Sequence, residues 1–281
     1  MKNRIVAGTM RWGTWGAMHT PMECASLIER YMSEGVNVFD SANIYGDFSN
    51  ERLLGEAFAL AKLKRDEYQL ISKCGIEPAG ARGGVNTKHY NYSTEYVISC
   101  AEESIRDLKS EYLDLFLLHR PSTLMNYEEI AAAFSYLKDK GLVREFGVSN
   151  FTSIQVEGLQ SCFPIVHNQV SYSVFNPYEI PVGYGQWLKQ KGIAVSTYSP
   201  VLGYEDCSEE QIEVFRRLAN KYKVNERSLA LSWVLKHDWV DQVVLGSSNN
   251  ARIQSYLNEL VELELEDYFA LLEATQGRRV P

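Results

Sequence analysis

Four side chains suited to proton transfer follow apolar segments that are predicted to be neighbouring strands. Asp40 ends one β-branched apolar run, and Tyr45 comes five residues later, directly before a glycine. Lys73 ends the next apolar run, and His119 ends the one after that. Because the tips of adjacent parallel strands lie roughly 5 Å apart, we expect these four side chains to converge.

Such a group suits the protonation of a carbonyl oxygen while a hydride reaches the carbonyl carbon. A tyrosine phenol is protonated at neutral pH and can transfer its proton to a developing alkoxide. The ammonium of Lys73 favours the phenolate that remains. Asp40 neutralises Lys73, because an unpaired buried charge costs several kcal/mol, and His119 orients the carbonyl oxygen.

The remaining elements predict the scaffold that positions these residues. Eight strand-like segments alternate with helices at a spacing of about 35 residues, as in an α/β protein of the (β/α)8 TIM-barrel class. The rival is a doubly wound sheet, which normally carries G-x-G-x-x-G after its first strand. The sequence lacks that motif, and we predict a single domain over residues 1–281.

Helix starts and one long connection can also be read from the sequence. Thr20 and Ser208 each precede a Glu or Gln at capping-box spacing, and Asn126 precedes Glu129. The polar connection from Gly75 to Ser93 is near the upper length for an unstructured segment, and it predicts a functional loop or lid.

The sequence resembles the aldo-keto reductase family in four places: Asp40–Gly46, Lys73, Leu117–Pro121 and Gly147–Phe151. The resemblance extends from Gly8 to Arg252, and motifs in this order are specific although each alone is weak. It implies an NADP(H)-dependent oxidoreductase that reduces aldehydes and ketones. In this resemblance Tyr45 is the general acid, and Asp40, Lys73 and His119 complete the catalytic tetrad.

The resemblance also implies a nicotinamide site. Tyr198 would stack on the ring, Ser149, Asn150 and Gln169 would bind its amide, and Arg252 would hold a 2′-phosphate. The full set of implied cofactor residues is Gly8, Thr9, Met10, Asp40, Ser149, Asn150, Gln169, Tyr198, Ser199, Pro200, Val201, Gly203, Gly246, Ser247, Ser248 and Arg252. Gly246 and Tyr256 stand where many relatives have lysine and asparagine. The first departure weakens the inference of NADP(H) over NAD(H), and the second leaves the adenine contact open. The resemblance still favours NADP(H), while NAD(H) stays open.

The substrate is expected to be a small carbonyl compound bordered by Trp12, Tyr45, His119 and Arg120. Two of these residues have alternative interpretations. Trp12 lines the pocket or packs the mouth of the barrel. Arg120 attracts an anionic substrate or pairs with an acidic surface residue.

Composition argues against several other classes of protein. The net charge of −8 and the absence of a basic run disfavour a nucleic-acid surface. Five cysteines without a C-x-x-C pair suggest a reducing compartment, although a catalytic thiol at Cys74 has to be weighed. With no apolar signal segment and no run of roughly 20 apolar residues, we expect a cytoplasmic monomer or weak homo-oligomer.

Three further interpretations compete with a reductase. The first is a cofactor-sensing, weakly catalytic regulatory subunit on the same barrel. The second is a sugar-phosphate isomerase barrel that needs no nicotinamide. The third is a metal-dependent hydrolase, which the scattered histidines disfavour because none has metal-ligand spacing, so we predict no metal.

Overall fold

Eight parallel strands form the centre of the computed structural model, which describes residues 1–81 and 86–276. Each strand ends where a polar or glycine-containing loop begins. The barrel strands are β1 (Ile5–Gly8), β2 (Val38–Asp40), β3 (Gln69–Cys74), β4 (Leu113–Leu118), β5 (Val143–Ser149), β6 (His167–Ser171), β7 (Ala194–Tyr198) and β8 (Gln242–Leu245).

These strands close into a barrel in chain order. Each pairs in parallel with the next, and β1 also pairs with β8 through Ile5–Val243 and Val6–Val244. The carboxyl ends of all eight strands therefore open on one face. The predicted (β/α)8 fold class is confirmed.

Helices follow the strands around the outside. They are α1 (Pro21–Ser33), α2 (Asn50–Ala61), α3 (Thr94–Asp107), α4 (Tyr127–Asp139), α5 (Ser153–Gln160), α6 (Tyr184–Gln190), α7 (Glu209–Tyr222), α8 (Glu226–Leu235), α9 (Asn250–Asn258) and α10 (Leu265–Gln276). The capping boxes predicted at Thr20 and Ser208 are both formed, and the Asn126 side chain caps α4.

Strand alternation separates two apolar regions, because successive side chains point to opposite faces. Val6, Val38, Ile71, Leu117 and Val244 pack together inside the barrel. Their strand neighbours pack outward against the helices in a much larger core. The same alternation places Asp40 and Lys73 on the inner face, two positions beyond Val38 and Ile71.

The long connection after β3, predicted from its length to be a functional loop or lid, is partly ordered at its base. Ile76–Glu77 and His89–Tyr90 pair as two short antiparallel strands, so backbone hydrogen bonds hold the base of this connection. Residues 82–85 of the connection, and residues 277–281 of the predicted single domain, lie outside the described residues. Within the described ranges, no helix is long and apolar enough to cross a membrane.

Candidate active site

The ammonium of Lys73 joins three groups at the carboxyl end of the barrel. Its Nζ donates to Asp40 Oδ1 at 2.6 Å, to the Ser41 carbonyl oxygen at 2.7 Å and to the Tyr45 hydroxyl at 3.2 Å. The Tyr45 and His119 rings meet edge to face, with centroids 5.8 Å apart. The structure thus brings the four predicted catalytic side chains together.

A strained turn orients Tyr45. Residues Tyr45–Phe48 form a single helical turn after β2, in which Gly46, Asp47 and Phe48 all have positive φ. Positive φ is costly for non-glycine residues and is concentrated at functional sites. The turn leaves Tyr45 buried, with its hydroxyl directed at Lys73.

Burial and charge oppose each other at Tyr45. Removal from water raises the pKa of its phenol, the nearby ammonium of Lys73 lowers it, and the net direction is upward. For Lys73 burial lowers the pKa, but Asp40 and Tyr45 outweigh burial and raise it. Lys73 is therefore a cation beside a phenol that keeps its proton at neutral pH.

His119 is a neutral imidazole in this arrangement. Burial lowers its pKa well below the ordinary 6.5, and the charges of Lys73, Arg120 and Lys88 lower it further. Its Nδ1 is buried and has no hydrogen-bond partner among the described residues. A neutral imidazole can donate one N–H to a carbonyl oxygen without itself supplying a proton.

The predicted nicotinamide residues lie next to the tetrad and are linked to it. Tyr198 donates to Asn150 Oδ1 at 3.1 Å, and Asn150 Nδ2 donates to the Ser149 hydroxyl at 2.8 Å. Gln169 Nε2 donates to Asp40 Oδ2 at 2.8 Å, a contact that the sequence did not indicate. Asp40 is thereby held on one oxygen by Lys73 and on the other by Gln169.

The loop after β8 leads into α9, whose first turn carries Arg252. Gly246 is exposed, and a Cβ built on it would meet nothing within 4 Å. Asn249 caps the helix by accepting from the Arg252 backbone N–H, while the Arg252 side chain extends into solvent. The other predicted residues here are the buried Ser247 and the half-buried Ser248.

The loop after β7 lies beside the β8 loop at the same face. Ser199 and Gly203 have positive φ, Pro200 is buried and Val201 is partly buried. Gly8, the last residue of β1, and Thr9, which follows it, are buried, and Met10 is 41% exposed. Thr9 uses its backbone N–H and its hydroxyl to bind the Asp40 carbonyl oxygen, so it supports the end of β2.

The structure does not support Trp12 as a wall of the substrate pocket. Its indole is fully buried, stacks on Tyr31 and donates to the Ser247 carbonyl oxygen at 2.9 Å. Trp12 thus packs the barrel mouth, as its alternative interpretation had it. The indole beside Tyr45 is Trp15, which is 40% exposed with ring centroids 6.1 Å apart. Sequence patterns do not separate two tryptophans three residues apart in one loop.

Arg120 lies at the same carboxyl end of the barrel as the four catalytic candidates. Its guanidinium carbon lies 5.8 Å from the centroid of the Tyr198 ring. Within residues 1–81 and 86–276 it pairs with no carboxylate, so the surface ion pair considered from the sequence is absent there.

Other titratable groups have structural roles. Burial raises the pKa of Cys74 well above its ordinary value, which disfavours a reactive thiolate. His167 contacts the Ser196 hydroxyl, and His237 contacts two tyrosine hydroxyls. Glu51, which the sequence did not single out, is buried against Ser72, and burial raises its pKa to about 7. No cluster able to hold a metal ion occurs in the described part of the chain.

Comparison with known proteins shows which family the chain is similar to. The model of the Aldo/keto reductase family matches residues 4–274. The uncharacterized oxidoreductase YcsN of Bacillus subtilis (strain 168) is 31% identical over 290 residues, which covers 99% of this chain and 96% of that protein.

Two further proteins are similar over nearly their whole length. A 6-dehydroglucose reductase of Agrobacterium fabrum is 30% identical over 285 residues, covering 99% of this chain and 96% of that protein. The crystal structure of a thermostable aldo-keto reductase, Tm1743, in complex with the inhibitor epalrestat superposes with a TM-score of 0.81. At 22% identity and coverages of 96% and 94%, that likeness concerns the fold.

Proposed function

The chain belongs to the aldo/keto reductase family of oxidoreductases that act on carbonyl compounds, and we propose that it reduces aldehydes or ketones with NADP(H), with Tyr45 as the general acid. The observation that carries the proposal is the position of Lys73 Nζ, 2.6 Å from Asp40 and 3.2 Å from the Tyr45 hydroxyl. A buried cation beside a protonated phenol is what protonation of an alkoxide requires.

Each catalytic side chain has a separate task in this proposal. Tyr45 gives its proton to the substrate oxygen, and Lys73 stabilises the phenolate that is left. Asp40 keeps Lys73 charged, and Gln169 fixes the second oxygen of Asp40. His119, neutral because of its low pKa, donates an N–H that orients the substrate carbonyl.

The residues around the site fit a nicotinamide dinucleotide, which supplies the hydride when bound. Tyr198, Asn150 and Ser149 present an aromatic ring, an amide and a hydroxyl beside the tetrad, linked by hydrogen bonds. The open space at Gly246 and the amino end of α9 suit an anionic group. We assign the other predicted cofactor residues to the same site.

NADP(H) rather than NAD(H) is supported by Arg252. Its guanidinium is exposed and pairs with no carboxylate among the described residues. A planar guanidinium binds phosphate oxygens in a two-point geometry, so it suits the 2′-phosphate that distinguishes the two cofactors.

The substrate wall in this proposal is formed by Tyr45, His119, Arg120 and Trp15, with Trp15 in place of Trp12. The amphipathic indole of Trp15 supplies an apolar contact for the carbonyl compound.

Steady-state oxidation of NADPH with a panel of aldehydes, ketones and quinones tests the function. Turnover with at least one carbonyl class is expected, and it would disfavour both the regulatory subunit and the isomerase. Tight NADPH binding without turnover across the panel would favour the regulatory subunit. Binding of NADPH is measured by the quenching of tryptophan fluorescence. An absence of quenching would refute the proposed nicotinamide site.

A further inference from the structure

Arg120 directly follows His119 at the carboxyl end of β4 and is half-buried at the opening of the site. Its charge is one of the causes of the low pKa of His119. Its guanidinium also lies 5.8 Å from the Tyr198 ring. The Arg120 side chain therefore lies close to two residues of the proposed site, His119 after β4 and Tyr198 at the end of β7.

The guanidinium of Arg120 has no anionic partner in residues 1–81 and 86–276, and its side chain donates no hydrogen bond there. Arg65 and Arg216, by contrast, each bind a carboxylate. Arg120 thus holds five N–H donors available beside the catalytic histidine.

The backbone of Arg120 is fixed although its side chain is unpaired. The Tyr92 hydroxyl donates to the Arg120 carbonyl oxygen at 2.5 Å and accepts from the Arg120 N–H at 3.2 Å. Tyr92 is only 6% exposed, and it packs against Gly75, where a Cβ would lie 2.1 Å from its ring. A guanidinium with a fixed attachment point loses less conformational entropy when it binds a ligand.

Arg120 is also on the opposite side of the barrel from the proposed phosphate site. It follows β4, whereas Arg252 follows β8, and these strands are separated by three others in either direction around the barrel. The phosphates of a cofactor held near Arg252 do not account for a free cation at β4. The ligand that remains is the carbonyl substrate.

We propose that Arg120 binds a carboxylate on the substrate, so that the protein favours aldehydes or ketones bearing an anionic group over neutral analogues. The planar fork of the guanidinium matches the two oxygens of a carboxylate. This inference rests on the proposed reductase function. It adds the substrate class, which the tetrad alone leaves open.

The test compares two aldehydes of similar shape and different charge. We expect wild-type kcat/KM to be at least tenfold higher for 4-carboxybenzaldehyde than for methyl 4-formylbenzoate. Arg120→Met should lower this ratio by about 10- to 100-fold, the usual size of a charge-assisted hydrogen-bond contribution. Arg120→Lys should retain part of the preference, and the preference should weaken with added salt.

Arg106→Met is the matched control. Arg106 is an exposed arginine of α3 that pairs with the adjacent Asp107, away from the site. The Arg106→Met substitution removes the same charge. It should leave kcat/KM for both aldehydes, and the ratio of the two values, unchanged. A wild-type ratio near one, or a ratio that falls equally in both variants, would overturn the inference.

Calorimetric binding of 4-(hydroxymethyl)benzoate separates this inference from the proposed function. The carboxylate product should bind wild type at least tenfold more tightly than Arg120→Met, whether or not either aldehyde is reduced. Binding that depends on Arg120, without any NADPH oxidation, would contradict the reductase assignment and leave the anion site standing. Equal binding to both proteins would refute the anion site.

Discussion

Lys73 and Asp40 form a 2.6 Å ion pair whose side chains are only 1% and 3% exposed. Both head groups of this pair have further partners: Lys73 donates to Ser41 and Tyr45, and the second oxygen of Asp40 accepts from Gln169. Since a buried ion pair is tolerated only when its remaining donors and acceptors are satisfied, the pair and its partners act as one unit.

Asp40→Asn is expected to destabilise the protein and abolish activity. The substitution keeps the shape of the side chain but leaves Lys73 buried without a counterion, which costs about 3–5 kcal/mol when one partner of a buried pair is removed. The urea midpoint of unfolding measures this loss. Asp238→Asn, which breaks an exposed pair with Lys189, is the control and should change the midpoint little. A wild-type midpoint in Asp40→Asn would show that the pair is dispensable.

Tyr45→Phe should reduce kcat for carbonyl reduction by about 10²–10⁴-fold, the range that a positioned general acid contributes. The substitution removes only the hydroxyl, so the aromatic contacts with Trp15 and His119 remain. The affinity for NADPH, measured by quenching of tryptophan fluorescence, should stay near that of wild type. Turnover of model aldehydes at the wild-type rate would exclude Tyr45 as the proton donor.

Arg252→Ala should weaken NADPH binding much more than NADH binding. The two cofactors differ only in the 2′-phosphate, and loss of one charge-assisted contact to phosphate corresponds to about 1.5–3 kcal/mol. Apparent KM values for both cofactors, measured on the same preparation, give the comparison. Equal increases for NADPH and NADH would mean that Arg252 does not contact the 2′-phosphate.

Because of His167, the free energy of unfolding should decrease as the pH falls from 6.5 towards 4. Burial lowers the pKa of this histidine from 6.5 to about 4, and its ring nitrogen lies 2.8 Å from the Ser196 hydroxyl. Between these values the unfolded chain binds the proton and the folded chain does not, so acid favours unfolding. The loss amounts to about 2 kcal/mol by pH 4.5.

His167→Asn removes this titration while keeping a polar group near Ser196. The free energy of unfolding of both proteins, measured at pH 7, 5.5 and 4.5, gives the comparison. Wild type should lose stability relative to the variant as the pH is lowered. A difference that stays constant over this range would indicate that His167 titrates equally in the folded and unfolded chains.

The sequence alone determined the barrel and the four tetrad positions. Strand periodicity fixes which side chains face inward, and parallel strands bring their carboxyl ends to one face, so Asp40, Lys73 and His119 had to meet there. Cap residues likewise fixed the starts of α1, α4 and α7.

Only the tertiary structure decided the surroundings of these residues. The loop after β1 places Trp15 rather than Trp12 beside Tyr45, and the side chain of Gln169 reaches Asp40 from a distant strand. Loop side chains have no period to reveal their direction. The net effect on the Tyr45 phenol also needed coordinates, because burial and the charge of Lys73 act in opposite directions and only their geometry decides which is larger.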